Sequence, residues 1–227
     1  MKKYALCISG LPYGFKECSN SIIKNIIEPN DCDVFIHGWH NSEQEGELYR
    51  PNTKYYRRVP KDPTDEICRI YNPKIALIER QINFNTERYE SAYQPKWSLF
   101  RTMSMFYTIM QSNRFKIIYE GLNSYKYLGV ARIRFDLQIK APIKFDHLNP
   151  SFINVRQDCK HTDFCCNDHF AFSSSANMDI YSDTFQEIDK MYDAKCPYCA
   201  EILLGQHLKN NHLKLSDAGI QYNQLDE

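Results

Sequence analysis

The chain opens on an unbroken apolar run, Tyr4-Ala-Leu-Cys-Ile8, closed by Ser9-Gly10. A short apolar run ended by a turn signal predicts a buried strand. From Phe15 to Ile27 the spacing changes. Ile22, Ile23, Ile26 and Ile27 recur at helical intervals, and Pro29-Asn30 marks where the pattern stops. Asp33-Val-Phe-Ile-His-Gly-Trp39 predicts a second strand. Strand, helix and strand in this order open a parallel α/β sheet.

Residues 40–63 are polar with few periodic apolar positions. They read as a loop, placed to close over a ligand as lids do. Thr64 is a good helix N-cap, with Asp65 and Glu66 in the first turn. Lys74-Ile-Ala-Leu-Ile78 predicts a third strand. Pro95 opens a long helix to about Ile118, with Leu99, Met103, Phe106 and Met110 on one face. The methionines and aromatics of residues 97–110 read as core. Tyr127 to Ile133 is a fourth strand. Phe152 to Val155 and His169 to Phe172 are short strands. Ser174 or Ser175 caps a helix through Met191, a last helix covers Ala200 to Asn210, and Leu213-Lys-Leu215 is a short strand. No repeat or linker interrupts the pattern. The expectation is one α/β domain over residues 1–227, a central, mostly parallel sheet flanked by helices.

Composition narrows the function classes. Of 227 residues, 43% are hydrophobic and 25% charged, ordinary globular usage that excludes disorder and coiled coil. Lys plus Arg and Asp plus Glu are both 28, so the chain has no net field to collect nucleic acid. No run approaches the ~18 apolar residues of a membrane span. The apolar start after Lys2 and Lys3 is too short and too interrupted for a signal peptide. Nine cysteines at irregular spacing suggest reduced thiols and a cytoplasmic protein rather than a disulfide scaffold.

Three segments carry candidate chemistry. In Val130-Ala-Arg-Ile-Arg-Phe-Asp136, Arg132, Arg134 and Asp136 alternate and share one face if the strand continues. Charges there need partners, and the C-terminal edge of such a strand is where open α/β sheets bind ligands. Asp136 is a carboxylate suited to Mg²⁺ or Mn²⁺; an internal Arg–Asp pair is the alternative. In Asn167-Asp-His-Phe-Ala-Phe172, Asp168 is either a proton acceptor at a strand end or a turn aspartate. Cys196-Pro-Tyr-Cys199 followed by His207 and His212 approaches a zinc-finger ligand pattern, with a shorter gap than that motif has. Cys159, Cys165, Cys166, His161 and His169 lie near enough in sequence to complete a structural zinc site. A turn of free thiols is the alternative. Ser9-Gly-Leu-Pro-Tyr-Gly14 is a strand-to-helix turn that offers backbone N–H groups to an anion, but it is no nucleotide fingerprint.

The order of these motifs resembles small GT-A-type glycosyltransferases from bacterial polysaccharide clusters and large DNA viruses. Ala5-Leu-Cys-Ile-Ser-Gly10, Asp33-Val-Phe-Ile-His-Gly-Trp39, Ser98-Leu-Phe-Arg-Thr102 and the strand Tyr127 to Asp136 match in sequence order. So do Asn167-Asp-His-Phe-Ala-Phe-Ser173, Asn177-Met-Asp-Ile-Tyr181 and Glu201-Ile-Leu-Leu-Gly-Gln-His-Leu208. The resemblance implies a GT-A, Rossmann-like fold and transfer of a sugar from a nucleotide-diphosphate sugar, UDP-sugar favoured, to a glycan hydroxyl. It places the donor against Ser9, Gly10, Lys16, His37, Arg101, Arg132, Arg134 and Asp136. It puts a divalent cation, Mn²⁺ or Mg²⁺, on Asp136 and His207. Asp168, with Glu201 second, is the implied base of an inverting reaction. The implied setting is a bacterial cytoplasm, or a host cytoplasm for a viral protein. Only the last member of the family's D-x-D is acidic here, at Arg134-Phe-Asp136, and the resemblance then leaves Arg132 and Arg134 to supply positive charge to the phosphates. Two other readings remain: a zinc-stabilised binding module, and an inactive GT-A-like domain that binds a glycan.

Overall fold

The computed structural model describes residues 2–48, 58–92 and 98–225. Among them one sheet of seven strands runs in the order β3-β2-β1-β4-β7-β6-β8. Its parallel half is β1 (Tyr4–Gly10), β2 (Cys32–Trp39), β3 (Ile75–Glu79) and β4 (Gly129–Arg134). Beyond β4, β7 (Phe170–Ser173) pairs antiparallel with β4 and with β6 (Ile153–Val155), and β8 (Leu215–Asp217) runs parallel to β6. A separate hairpin-like pair, β5 (Leu137–Ile139) and β9 (Tyr222–Gln224), lies beside the end of β4. The architecture is α/β with a mostly parallel central sheet flanked by helices.

The unbroken apolar runs follow from burial on both faces. Leu6, Ile8, Val34 and Ile36 point to one side, onto α1 (Phe15–Ile22) and α3 (Thr64–Tyr71). Ala5, Cys7 and Phe35 point to the other, with α4 (Leu99–Asn123), α5 (Ser175–Ser182), α6 (Thr184–Asp193) and α7 (Ala200–Asn210). Phe35 is fully buried, and truncating such a side chain to alanine costs about 3–5 kcal/mol.

Several expectations shift. Pro29 does not end the first helix. A π-turn at Ile23–Ile27 precedes it, and α2 (Glu28–Asn30) carries on to Asp31, whose left-handed φ of 47° caps the end. Pro29 has no N–H for the carbonyl of Asn25, which accepts instead from Ile143 N at 2.8 Å. Thr64 is the first residue of α3 and not its cap; Asp62 Oδ1 accepts from Thr64 N at 2.9 Å and from its hydroxyl at 2.6 Å. The long helix α4 starts at Leu99 behind the cap Ser98, later than the Pro95 start, which lies outside the described residues. The helix expected through Met191 is two helices broken at Asp183. The loop 40–63 is described only in part and carries a 3-10 turn at Ser42–Gln44 and a bridge from Leu48 to Arg58. The reading of all thiols as reduced is corrected at one pair: the loop before β7 brings Cys159 and Cys165 together as a disulfide, Cα atoms 6.0 Å apart. Among the described residues no helix is long and apolar enough to cross a membrane.

The end of the sheet away from the cleft is held by a buried ionic network. Lys116 Nζ, with no exposure, meets Asp179 Oδ1 at 2.6 Å, Ser175 Oγ at 2.7 Å and Glu120 Oε2 at 3.2 Å. Glu120 also accepts from Lys126 at 2.7 Å and from Tyr127 N at 3.0 Å. These contacts fix α4 to α5 and to the entry of β4.

Candidate active site

A cavity of about 430 Å³ opens beyond the C-terminal ends of β1, β2 and β4 and against the first turns of α4. That volume lies in the range of small-molecule sites, and that edge of a parallel sheet is where such sites form. The chain can leave β1 here because Gly10 takes a φ of 113°, a conformation open to glycine. Gly38 lets β2 lie close beside it: a Cβ there would come within 2.8 Å of Ile78 Cδ1 and 3.0 Å of the Gly10 carbonyl oxygen.

Trp39 forms the floor. Its Nε1 donates to Ser104 Oγ at 3.0 Å, and Gln81 Nε2 donates to the same oxygen at 2.7 Å. Tyr107 stacks on the indole at 5.4 Å between centroids, and the His37 ring meets its edge at 5.0 Å. These contacts lock the end of β2 to the first turns of α4. Phe100, Arg101 and Met105 of that helix also line the cavity.

The cationic wall comes from β4. Arg132 and Arg134 share the face of Val130, toward α4, with Arg132 opposite Cys7 and Arg134 opposite Ser9. Arg132 is 1% exposed. Its Nε donates to Ser9 Oγ at 3.3 Å, and its Nη1 has no hydrogen-bond partner among the described residues. Among the described residues no carboxylate lies within ion-pair distance of it. Burial, opposed by Tyr181 and Asp168, holds its guanidinium below the ordinary arginine range. A buried unmade donor on a cavity wall is an invitation to an acceptor from outside.

Asp136 is not on the strand. It lies in the turn after β4 and folds back on Arg134, which donates from Nε at 2.8 Å to one oxygen and from Nη2 at 2.6 Å to the other. Gln224 Nε2 donates to the second oxygen at 3.2 Å. Both oxygens are thus engaged, and among the described residues no group of three or more metal-ligating side chains includes Asp136. The donor set does not fit a divalent cation, which takes several oxygen ligands.

The other expected residues scatter. Ser9, Gly10, Arg101, Arg132, Arg134 and Asp136 meet at the cavity. Lys16 does not: it lies on α1 and pairs with Glu66 at 2.5 Å. His37 is fully buried behind Trp39, its Nε2 at 2.9 Å from Glu79 Oε1, and burial keeps its pKa low against the pull of that carboxylate. Asp168 is buried behind the arginines and is absent from the cavity wall. Burial works to raise its carboxyl, but His169, Arg134 and Arg132 outweigh it and hold it below the usual range. It serves as counter-charge to the arginines. Glu201 lies on the first turn of α7, accepting from Cys199 Sγ at 3.1 Å. His207 Nε2 meets the Ile180 carbonyl at 2.7 Å, and among the described residues it joins no group with Cys196 and Cys199. The zinc set drawn through His207 with the cysteines is therefore not assembled among the described residues. Neither Asp168 nor Glu201 lines the cavity.

Sequence reasoning missed Trp39, Ser104, Gln81, Phe100 and Gln224. Trp39 could have been found from its place at the end of β2. Gln81 and Gln224 stand in a loop and a short edge strand with no distinguishing pattern.

No family model and no curated protein matches this sequence. Among solved structures, the apo form of the glycosyltransferase GlyE of Streptococcus pneumoniae TIGR4 is similar at 8% identity and a TM-score of 0.46, over 96% of this chain and 45% of that one. The chain thus spans less than half the length of that neighbour, and no residue role passes between them at this level of similarity.

Proposed function

We propose that this chain is a glycosyltransferase that moves a sugar from a nucleotide-diphosphate sugar, a UDP-sugar in first place, to a hydroxyl of a glycan acceptor. The observation that carries this reading is Arg132, a buried guanidinium on the wall of the cavity with a donor left unmade. Arg101 and Arg134 and the N-terminal turn of α4 add positive potential around the same space. The apolar side of the cavity, Leu11, Val59, Phe100 and Met105, suits the base and sugar faces. The order of sequence motifs that resembles GT-A-type transferases supports the same conclusion.

In the reaction the acceptor hydroxyl oxygen bonds to the sugar C1, the C1–O bond to the diphosphate breaks with its electron pair leaving on the phosphate, and the hydroxyl proton passes to the departing diphosphate oxygen or to solvent. Arginines placed before the reaction stabilise that growing charge with no reorganisation of solvent. Asp168 keeps Arg132 and Arg134 from repelling each other, and Gln224 and Asp136 orient the Arg134 fork. The chemistry so drawn is independent of a divalent cation.

The test is release of free nucleotide from a panel of UDP-, GDP-, CMP- and dTDP-sugars in the presence of EDTA, followed by chromatography. One donor class should turn over, and Arg132→Met should abolish that turnover in a folded protein. Release from none of them, with metal or without, would overturn the proposal. The Asp136 carboxylate, held on both oxygens, favours a second reading, a binding-only domain of the same fold. Asp136→Asn separates the two: a transferase loses turnover through a misoriented Arg134, whereas a binding domain keeps its affinity for glycan.

A further inference from the structure

The loop between β6 and β7 lies against the first turns of α7. Cys166 N donates to the Glu201 carbonyl at 2.9 Å. A Cβ on Gly205 would stand 1.9 Å from the Phe164 carbonyl oxygen, so the close approach needs glycine. The Cys159–Cys165 disulfide closes this loop with His161 inside it. Cys165, Cys199 and Ile202 form a small cluster of their own, with Cys159, Phe164 and Cys196 packed on it.

At its edge three different metal-ligating groups converge. One ligand atom each from His161, Cys199 and Glu201 lies within 4.8 Å of the other two. Cys199 is buried, Glu201 half-buried and His161 exposed, so the group has a protein side and an open side. Zinc binds thiolate at about 2.3 Å and imidazole or carboxylate at about 2.0–2.2 Å, which in a tetrahedron sets donor atoms roughly 3.4–3.8 Å apart. The three groups need to close by about 1 Å, within the reach of side-chain rotation on an exposed histidine. Cys196, the other thiol of Cys196-Pro-Tyr-Cys199, sits in the same cluster and is partly exposed. A mixed set of sulfur, nitrogen and oxygen suits Zn²⁺ and not the hard Mg²⁺.

We propose that His161, Cys199 and Glu201, with Cys196 as fourth ligand, form a zinc site that pins the loop before β7 to α7. Binding releases the two thiol protons to solvent and leaves the disulfide intact. The site stands apart from the arginine cavity and does not depend on the transferase reading. Its consequence for that cavity is indirect: the pinned loop leads into Asp168.

The experiment uses the whole chain, purified without reductant and dialysed against zinc, with metal counted by mass spectrometry. One zinc per chain is expected. Cobalt in its place should give a thiolate-to-metal charge-transfer band that Cys199→Ser weakens and Cys199→Ser together with Cys196→Ser removes. His161→Ala and Glu201→Gln should each weaken zinc binding by at least about tenfold while leaving the circular dichroism and the metal-free melting temperature unchanged. No stoichiometric zinc in the native chain, or equal zinc in all three variants, would overturn the proposal. Uptake only after the disulfide is reduced would overturn this ligand set in favour of the four cysteines.

Discussion

Replacing Arg132 with methionine keeps the bulk of the side chain and removes the charge, the bond to Ser9 and the unmade Nη1 donor. An unsatisfied buried donor costs about 1–3 kcal/mol, and a hydrogen bond from a charged donor returns about 1.5–3 kcal/mol at good geometry. The Ser9 contact is long at 3.3 Å. Asp168 loses one positive neighbour but retains Arg134. These effects offset, so the unfolding free energy should change by less than about 1 kcal/mol. A structural buried ion pair broken on one side would instead cost about 3–5 kcal/mol. Nucleotide affinity should respond differently. A hydrogen bond between charged groups contributes about 1.5–3 kcal/mol, which is roughly 10- to 100-fold in affinity. Urea denaturation gives the first quantity and titration calorimetry with the nucleotide gives the second. A variant that loses 3 kcal/mol or more of stability yet binds nucleotide as before would show Arg132 to be structural.

Lys116→Met should destabilise the fold by about 3–5 kcal/mol, because Glu120 stays buried without it and half-buried Asp179 loses its ion pair; denaturation of the single variant and of Lys116→Met with Asp179→Asn should show partial recovery in the double. Gly205→Ala should cost about 1–3 kcal/mol or more by forcing the Phe164 backbone away from α7, read as a fall in melting temperature of about 2–4 °C per kcal/mol. His37, His169 and His207 are each held below the ordinary histidine value of 6.5, burial being the largest cause. The folded chain then binds fewer protons than the unfolded one as pH falls below that value. Stability should drop on acidification by up to about 1.4 kcal/mol per pH unit for each such histidine; equal urea midpoints at pH 7.5 and pH 5.5 would contradict it.

The parts of the fold legible in the sequence were those with one dominant periodicity. β1 and β2 are apolar on both faces because helices cover both, and α7 has the length and pattern of a buried helix. What escaped was set by tertiary partners. Asn25 finds a new donor in Ile143, so Pro29 is tolerated. Asp183 breaks a run whose apolar spacing is continuous. β5 and β9 are three residues each and pair across a long stretch of intervening chain. In the cavity, alternation placed Arg132 and Arg134 on one face correctly, but it could not say that the chain turns after Arg134 and brings Asp136 back onto it. Nor could spacing reveal that His207 bonds a carbonyl while His161, inside a disulfide loop, meets Cys199 and Glu201.

The most direct measurement is the melting temperature of the whole chain with UDP, GDP, CMP and dTDP, each in EDTA and in Mn²⁺. A ligand confined to the folded state adds about 2.7 kcal/mol at a hundredfold excess over its Kd. One nucleotide, UDP in first place, should raise the melting temperature equally in both buffers, and Arg132→Met should abolish the shift. A shift that requires Mn²⁺ would contradict phosphate binding by arginines alone, and no shift with any of the four would contradict the nucleotide site itself.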